Sequence, residues 1–427
     1  MKSKFKILLG KLRDTGFFHV FGSSTINKII GFASGIILVR IISKSEYGVF
    51  SYANNTLSFF LLAGGLGATF GVLQMGSEES DTSRKKAIYN YGCYLSFFSN
   101  VIIGFVILAV SLFFQFKIPG VNKCLALMAF LPCVSLIYEM QGIYLRTELR
   151  NKEYAVSNSV TTILFFILSC GLSLLFSAVG LIAAKYLASI LAFLYIAFRY
   201  GVKYPIKKQT LSAEDKKAFW KISSISMVNN SLSRLMYLLD IFVLGLVIPD
   251  STVVASYRTA TNIPTALAFI PAAVITYIYP YFAKKKDDKV WVKKKYLQIT
   301  ALLGIGSAAI AILMFVFAPF IIKTLFGAAY EDSIPAFKVL SISFALSSTF
   351  RILPGNILVT QRKLPFNLVV AVISSAVNTG LNVIMIRAYG AIGAAYATII
   401  TVVISGALNV VYLFRVLKEK NKTISGD

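Results

Sequence analysis

The sequence predicts an all-α polytopic membrane protein with twelve transmembrane helices, arranged as two six-helix lobes around a central cleft. Three observations lead to this prediction. First, 57% of the 427 residues are hydrophobic and only 14% are charged, whereas about 25% charged residues is usual in a soluble domain. Second, basic residues cluster in alternate connections. Third, parts of the first half of the chain recur in the second. This composition excludes a soluble enzyme, a disordered chain and a collagen-like chain.

The hydrophobic content is enough for about twelve spans of about 20 residues each. Because irregular backbone cannot face lipid, hydrophobic segments of this length must be helical. In chain order we expect spans at residues 17–42, 50–75, 88–116, 122–145, 155–176, 179–200, 222–248, 254–282, 296–322, 336–360, 366–387 and 391–416.

The net charge of +25 comes from 43 Lys+Arg against 18 Asp+Glu. In a soluble protein this excess would suggest a nucleic-acid partner. Here 31 of the basic residues lie in the tails and connections on the side of the N-terminus, and the opposite connections contain only Lys44, Lys117, Lys123 and Lys323. Basic residues concentrate on the cytoplasmic side of membrane proteins. We therefore expect both termini in the cytoplasm and no nucleic-acid partner.

The same pattern predicts the organisation of the chain. Ser212 and the acidic residues that follow it resemble a capping box, which predicts a short amphipathic helix through Trp220. The expected segments are a cytoplasmic tail at 1–16, an N-terminal lobe at 17–200, a cytoplasmic linker with the short helix at 201–221, a C-terminal lobe at 222–416 and a cytoplasmic tail at 417–427.

Two short segments recur in the second half. Val49-Phe-Ser-Tyr52 matches Val254-Ala-Ser-Tyr257 at an offset of 205, and Gly180-Leu-Ile-Ala-Ala-Lys-Tyr186 matches Gly390-Ala-Ile-Gly-Ala-Ala-Tyr396 at an offset of 210. Six spans is an even number, so both halves enter the membrane from the same face. A parallel repeat of two lobes is an architecture for alternating access.

Three basic residues lie deep within predicted spans: Lys28 in span 1, Arg234 in span 7 and Arg351 in span 10. A charge at bilayer depth costs about 2.5–3.5 kcal/mol on insertion scales, so each should face protein or a wet cavity. Lys28 and Arg234 lie at matching depths of the two halves. They predict a binding site for an anionic group, phosphate or diphosphate, with Arg351 as a further candidate. The alternative is that each cation pairs with a structural carboxylate.

Two carboxylates lie within spans, Glu139 in span 4 and Asp240 in span 7. A carboxylate in a low-dielectric cleft can carry a proton or ion through a transport cycle. The alternative is that each neutralises a cation on another helix, and the sequence leaves both interpretations open. Lys185 lies nearer to a span end, as do Arg40, Arg258 and Lys338, and we expect these side chains to reach the headgroups.

Amide side chains in the spans are candidates for contacts to sugars, namely Asn54, Asn230, Asn378 and Asn382. Hydrogen bonding between helices uses the same residues, so structural roles remain open for each. The glycines of Gly64-Gly-Leu-Gly67 are candidate hinges in span 2. The cysteines and the single histidine have no metal-ligand spacing, so we expect no metal, disulfide framework or cofactor.

Several motifs resemble those of a known transporter family. Span 1 and its exit contain Leu38-Val-Arg40 and Ser45-Glu-Tyr-Gly48, and span 12 opens with Tyr389-Gly-Ala-Ile-Gly-Ala-Ala-Tyr396. Looser matches are Gly31-Phe32, Asp240 with Tyr257, Leu325-Phe-Gly-Ala-Ala-Tyr330 and Thr360-Gln-Arg-Lys363. The chain resembles the polysaccharide-transporter family (Wzx, or O-antigen flippases) of the MOP superfamily, which includes the MATE exporters and the lipid II flippase MurJ.

The resemblance implies a MATE-like fold in the bacterial inner membrane and no enzymatic activity. It further implies a flippase that moves an undecaprenyl-diphosphate-linked oligosaccharide repeat unit, of O-antigen or capsule type, to the periplasmic leaflet. The implied partners are this lipid-linked oligosaccharide and membrane lipids, with a polysaccharide polymerase and a chain-length regulator as further candidates. A MATE-type multidrug exporter and a lipid II flippase are the alternatives.

Overall fold

A computed structural model describes residues 17–205 and 211–418, with the side chains of 17–21, 232, 233 and 236 excluded. The described part is almost entirely helical and contains no strand. The chain divides into two compact units, Met1–Ser231 and Leu232–Asp427, and each is described by itself. The predicted tail at 1–16, most of the tail at 417–427 and linker residues 206–210 lie outside the described residues.

In its described residues, the first unit contains seven helices and the beginning of an eighth. They are α1 (Phe17–Ile41), α2 (Lys44–Leu61), α3 (Ala68–Glu78), α4 (Thr82–Phe113), α5 (Val121–Leu127), α6 (Leu131–Thr147), α7 (Asn151–Tyr200) and the start of α8 (Ala213–Val247).

The predicted hinge in span 2 is a break between α2 and α3. Gly65, Leu66 and Gly67 have left-handed backbone angles, with φ of 57°, 50° and 72°, and the two helices are bent by 40°. The amide of Gly65 donates to Oδ1 of Asn100 at 2.6 Å, and Nδ2 of Asn100 donates to the carbonyl of Pro132 at 2.8 Å. A buried side chain therefore satisfies backbone groups at the break, as membrane helices require.

Helix α7 is 50 residues long and is interrupted at Ser177, which has φ 49° and ψ −129°. An unbroken helix of this length would extend about 75 Å, more than twice the hydrocarbon core. The interruption coincides with the predicted boundary between spans 5 and 6. A Cβ at Gly180 would lie 2.0 Å from the carbonyl oxygen of Leu172, so this corner requires glycine.

The predicted linker packs into the core of the first unit. Val202, Leu211 and Phe219 are buried in one cluster with residues of α3, α4 and α6. The predicted short helix at 212–220 is corrected: it is the first part of α8, which continues to Val247. The physical reason is that no glycine or proline occurs between Ala213 and Leu244. The predicted capping role of Ser212 is present, because its Oγ accepts from the amide of Asp215 at 3.0 Å.

Ion pairs connect α4 to the start of α8 and to the end of α6. Arg84 contacts Asp215 at 2.7 Å and Glu79 at 3.2 Å, and Lys85 contacts Glu148 at 3.2 Å. The hydrogen bond from Arg84 holds the pKa of Asp215 below its ordinary value. These pairs lie at the helix ends that the sequence places at the cytoplasmic surface.

Up to residue 418, where the description ends, the second unit contains the rest of α8 and eight further helices. They are α9 (Ser251–Leu267), α10 (Phe269–Lys284), α11 (Lys289–Val316), α12 (Ala318–Phe326), α13 (Ile334–Leu346), α14 (Leu353–Thr360), α15 (Leu364–Tyr389) and α16 (Ala391–Lys418). A 3₁₀ segment, Ala328–Ser333, precedes α13, and a π-helical turn, Ser347–Ile352, separates α13 from α14. The core of this unit gathers residues of α10, α11, α14 and α16, including Phe282, Tyr296, Leu358 and Leu413.

Some span boundaries differ from the prediction for identifiable reasons. Span 2 begins at Lys44 rather than at residue 50, because Oγ of Ser43 caps α2 by accepting from the amide of Glu46 at 3.3 Å. Span 9 begins at Lys289 rather than at residue 296, because the Asp288 carboxylate accepts from the amide of Trp291 at 2.9 Å. Polar cap residues thus extend these helices beyond their hydrophobic segments.

The described residues contain eight helices that are long and hydrophobic enough to cross a membrane. The number is ten if each of the bent pairs, α2 with α3 and α5 with α6, counts as one span. The two remaining predicted spans correspond to the second half of α7 and to α8, whose hydrophobic part, Tyr237–Val247, is shorter than a span. The architecture is polytopic and all-helical, while the number twelve stays a prediction.

Candidate functional site

A buried carboxylate in the second unit is surrounded by hydrogen-bond donors from three other helices. Asn382 on α15 donates to Oδ1 of Asp240 at 2.8 Å. Thr398 on α16 and Tyr257 on α9 donate to Oδ2, at 2.6 Å and 3.3 Å. Asp240 itself is on α8 and is 8% exposed. Four helices thus converge on one carboxyl group.

The partners of Asp240 are all neutral. Among the residues that the structure describes, no lysine or arginine pairs with it. Transfer of an ionised carboxylate out of water is costly unless the charge is paired. This centre is therefore suited to take up a proton or a small cation when Asp240 is ionised.

Two amides extend this centre along α15. Nδ2 of Asn382 also approaches Oδ1 of Asn378, at 2.9 Å. Within the described residues, Oδ1 of Asn382 is buried without a hydrogen-bond partner. Buried polar atoms of this kind call for a physical explanation, such as an ion. Oxygen atoms from carboxylates and amides are the ligands of hard cations, and Asp240, Asn378 and Asn382 contain such oxygens.

The structure brings together three of the predicted site residues, Asp240, Asn378 and Asn382. Tyr257 and Thr398 complete the centre. The sequence predicted a role for neither, although Tyr257 occurs with Asp240 in one of the family-like motifs. The repeat offered a signal for Tyr257, because it ends the segment that matches Val49-Phe-Ser-Tyr52. A single threonine within a hydrophobic span gives no such signal.

Arg351 lies in the π-helical turn between α13 and α14. Its guanidinium carbon is 5.9 Å from the centre of the Tyr237 ring, within the range of a cation–π contact. Tyr237 is on α8, between Arg234 and Asp240 at spacings of three residues. Residues three apart on a helix are neighbours, so α8 carries a basic group, an aromatic platform and the buried carboxylate within two turns.

The other predicted basic residues are exposed in their own units. Arg234 lies on α8 in the second unit and Lys28 on α1 in the first. Asn230 is also exposed, and its Nδ2 donates to the carbonyl of Ser226 at 2.8 Å on its own helix. Glu139 is exposed on α6 of the first unit and so lacks the buried environment of Asp240.

A second polar centre lies in the first unit. Nζ of Lys185, on the second half of α7, donates to Oδ1 of Asn54 on α2 and lies 5.2 Å from the centre of the Phe50 ring. The predicted reach of Lys185 to the headgroups is wrong, because the side chain turns to a neighbouring helix. The repeat carried a signal here: the matching residue of the second half is Ala395.

The described residues contain no group of three or more His, Cys, Asp or Glu side chains that could hold a metal ion. The centres at Asp240 and Lys185 instead combine one charged group with neutral amides, hydroxyls and aromatic rings. Such sets suit monovalent ions, protons and hydrogen-bonding ligands.

Comparisons with known proteins agree with this architecture. A family model described as polysaccharide biosynthesis protein matches residues 37–335. No curated protein sequence matches the chain. One similar solved structure is that of a multidrug resistance MATE family transporter of the MOP superfamily in an inward-facing conformation. The TM-score is 0.76 and the sequence identity is 15%, and the alignment covers 92% of this chain and 96% of the transporter. The lipid II flippase MurJ, in an inward closed conformation, is similar with a TM-score of 0.71 and 17% identity, covering 94% and 87%.

Proposed function

Because the chain belongs to the polysaccharide biosynthesis protein family, we propose that it flips an undecaprenyl-diphosphate-linked oligosaccharide repeat unit, of O-antigen or capsule type. The transport runs from the cytoplasmic to the periplasmic leaflet by alternating access and involves no catalysis. The observation that carries the proposal is the family match over residues 37–335. Each sugar hydroxyl that enters hydrocarbon unpaired costs several kcal/mol, so this cargo does not cross a bilayer unaided.

The diphosphate of the carrier is the group that the basic residues of the spans bind. In the second unit, Arg351 and Arg234 supply guanidinium forks, which match phosphate oxygens. In the first unit, Lys28 remains a separate candidate that offers a point charge. The contact of Arg351 with Tyr237 supports this role, because the aromatic ring attracts the guanidinium and fixes its position. Loss of either arginine charge should therefore weaken binding of the lipid diphosphate.

The centre at Asp240 couples transport to a proton or a small monovalent cation. Burial of Asp240 among neutral donors supports this role, as does the unpartnered Oδ1 of Asn382.

Asn378 and Asn382, first considered as sugar contacts, belong to this ion centre in the proposal. Asn54 and Asn230 remain the candidates for sugar contacts, and Glu139 is the weaker candidate for coupling. Tyr237, which contacts Arg351, lies on the same helix α8 as Asp240. Binding of a proton or cation at Asp240 can therefore influence the anion site at Arg351.

The distribution of basic residues supports an inner-membrane protein with both termini in the cytoplasm. Membrane lipids and the lipid-linked oligosaccharide are the direct partners, and a polymerase and a chain-length regulator act on the product. Alkaline phosphatase fused after residue 427 should be inactive, and fused in the 114–120 connection it should be active. The reverse pattern would contradict the proposed orientation.

The test of function is deletion in the native strain, followed by mass spectrometry of lipid-linked intermediates. We expect undecaprenyl-diphosphate repeat units to accumulate and surface polysaccharide to be lost, and a plasmid copy should restore both. Unchanged glycans with altered drug tolerance would instead indicate a MATE-type exporter. Accumulation of lipid II with normal surface polysaccharide would indicate a lipid II flippase.

A further inference from the structure

The π-helical turn that carries Arg351 depends on donors from a neighbouring helix. Pro354 has no N–H, so the carbonyl of Phe350, four residues earlier, cannot receive the usual helical hydrogen bond. The carbonyl of Arg351 accepts from Nδ2 of Asn409 on α16 at 3.2 Å. A Cβ at Gly406 would lie 3.3 Å from the carbonyl oxygen of Phe350. The glycine therefore allows α16 to approach the turn closely enough for Asn409 to reach it.

The helix on the other side of the turn, α11, uses the same arrangement. A Cβ at Gly304 would lie 3.3 Å from Cγ2 of Thr349, and the hydroxyls of Ser307 and Thr349 are 3.2 Å apart. Each flanking helix thus presents a glycine and, three residues later, a polar side chain that bonds to the turn. Single-turn π-helices inside α-helices occur frequently at functional sites.

We infer that Asn409 and Ser307 are positioning residues for Arg351. They hold the π-helical register, and that register directs the guanidinium onto Tyr237. A shift of one residue along a helix rotates a side chain by about 100°, which would turn Arg351 away from the ring. The inference rests on the proposed function, since it assigns to Asn409 and Ser307 the control of affinity for the diphosphate group.

The test measures binding of farnesyl diphosphate to the purified full-length chain in detergent. Asn409→Leu keeps the branched shape of the side chain and removes the donor. We expect it to weaken binding about tenfold, which corresponds to about 1.4 kcal/mol, because the guanidinium would lose its charge-assisted contact with the diphosphate. Ser307→Ala should weaken binding by a smaller factor. Arg351→Gln should weaken it at least as much as Asn409→Leu.

The double variant separates positioning from general stability. If Asn409 acts only through Arg351, then Arg351→Gln with Asn409→Leu should bind no more weakly than Arg351→Gln alone. If Asn409 had only a structural role, the double variant would bind farnesyl diphosphate more weakly than Arg351→Gln alone, because the two losses of affinity would add.

The chain provides a matched control in Asn367 on α15. Its Nδ2 also donates to a backbone carbonyl, that of Gly355 on α14, at 2.9 Å, but beyond the π-helical turn. Asn367→Leu therefore removes the same kind of hydrogen bond without releasing Arg351, and we expect it to bind the probe as the unaltered chain does.

Two outcomes would overturn the inference in distinguishable ways. If Arg351→Gln weakens binding while Asn409→Leu and Ser307→Ala do not, the positioning role is wrong and the proposed anion site stands. If Arg351→Gln binds the probe normally, the anion site at Arg351 and the positioning role both fall. If Asn409→Leu does not fold, binding of the probe by Ser307→Ala is compared with binding by Arg351→Gln in the same way.

Discussion

The two units carry matching tyrosines but build different surroundings for them. Tyr52 and Tyr257 occupy equivalent places in the internal repeat, and each is 1% exposed. In the second unit, the hydroxyl of Tyr257 donates to Asp240. In the first unit, the position 205 residues before Asp240 is Gly35, and the ring of Tyr52 packs edge-on against Phe116 at 6.1 Å. The repeat therefore preserves the scaffold, while the polar chemistry has diverged.

The divergence extends to the sign of the charge. The polar centre of the first unit contains the cation of Lys185 with Asn54, and that of the second unit contains the carboxylate of Asp240 with Asn382. Each centre pairs its charged group with a neutral amide from another helix. The comparison teaches that the two units keep a charged group beside an amide but carry opposite charges there.

The largest effect is expected for Asp240→Asn, which removes the acidic centre with little change in shape. Coupling free energies of 1–3 kcal/mol correspond to factors of about 5–150, so we expect complementation of transport to fall by up to about a hundredfold. Surface polysaccharide in a deletion strain gives the measurement. Asp332→Asn, an exposed carboxyl of the same unit that accepts from Ser256 at 2.7 Å, is the control and should retain activity. Full activity of Asp240→Asn would remove the coupling role.

The second prediction tests what the two units share. A Cβ at Gly180 would lie 2.0 Å from the Leu172 carbonyl oxygen, and a Cβ at Gly393 would lie 2.0 Å from that of Met385. In both units the carbonyl belongs to the residue eight positions earlier. Because the obstacle is backbone, alanine at either glycine should destabilise the protein by about 2–3 kcal/mol.

Thermal unfolding of purified variants gives the measurement for these glycines. Gly171 on α7 and Gly380 on α15 are the controls, because nothing lies within 4 Å of a Cβ at either position. Their alanine variants should unfold at or above the temperature of the unaltered chain, since alanine is favoured over glycine in helices. Equal stability of all four variants would show that the two corners do not require glycine.

A smaller effect is expected from the matched pair Tyr257→Phe and Tyr52→Phe. Tyr257→Phe removes one donor from Asp240, and one hydrogen bond to a charged group contributes about 1.5–3 kcal/mol. We therefore expect transport to fall about tenfold and its pH profile to shift. Tyr52→Phe should change transport less and leave the pH profile in place. Identical profiles for both variants would contradict the assigned asymmetry between the units.

The smallest effect is expected for Asp215→Asn at the surface. Arg84 lowers the pKa of Asp215, so the pair contributes stability above the ordinary carboxyl pKa of about 4 and loses it as the pH falls through the lowered value. Exposed ion pairs contribute little to stability, because water and salt screen them. Unfolding of the unaltered chain and of Asp215→Asn should therefore differ slightly at pH 7 and converge at low pH. A difference that grows on acidification would contradict this assignment.

Much of the fold follows from the sequence because long hydrophobic segments in a membrane must be helical. The family was also predicted, and the matching family model confirms it. The positions of the breaks near Leu66 and Ser177 were predicted, but the backbone angles of these two residues were not, because neither residue type favours a positive φ. Their left-handed angles depend on neighbouring helices, which a single sequence does not reveal.

The site was predictable only in part, and the reason is three-dimensional. Asp240, Asn378 and Asn382 stand out as polar residues in hydrophobic spans. Their convergence with Thr398 required the packing of α8 against α15 and α16, which no local pattern specifies. Lys185 was misinterpreted because its depth in a span does not reveal which way its side chain turns.

The linker at residues 201–221 is bound to the first unit, and this limits where the chain can be cut into two fragments. Gln141 donates to the carbonyl of Val202 at 2.6 Å, and Tyr89 donates to that of Lys203 at 3.0 Å. Phe219, fully buried in the same cluster, lies well past this point in the chain. Severing the polypeptide before Phe219 to co-express two fragments would leave the leading fragment with a hole in its interior. Fragments that overlap through the early turns of α8 should reassemble better than fragments divided at the midpoint of the sequence.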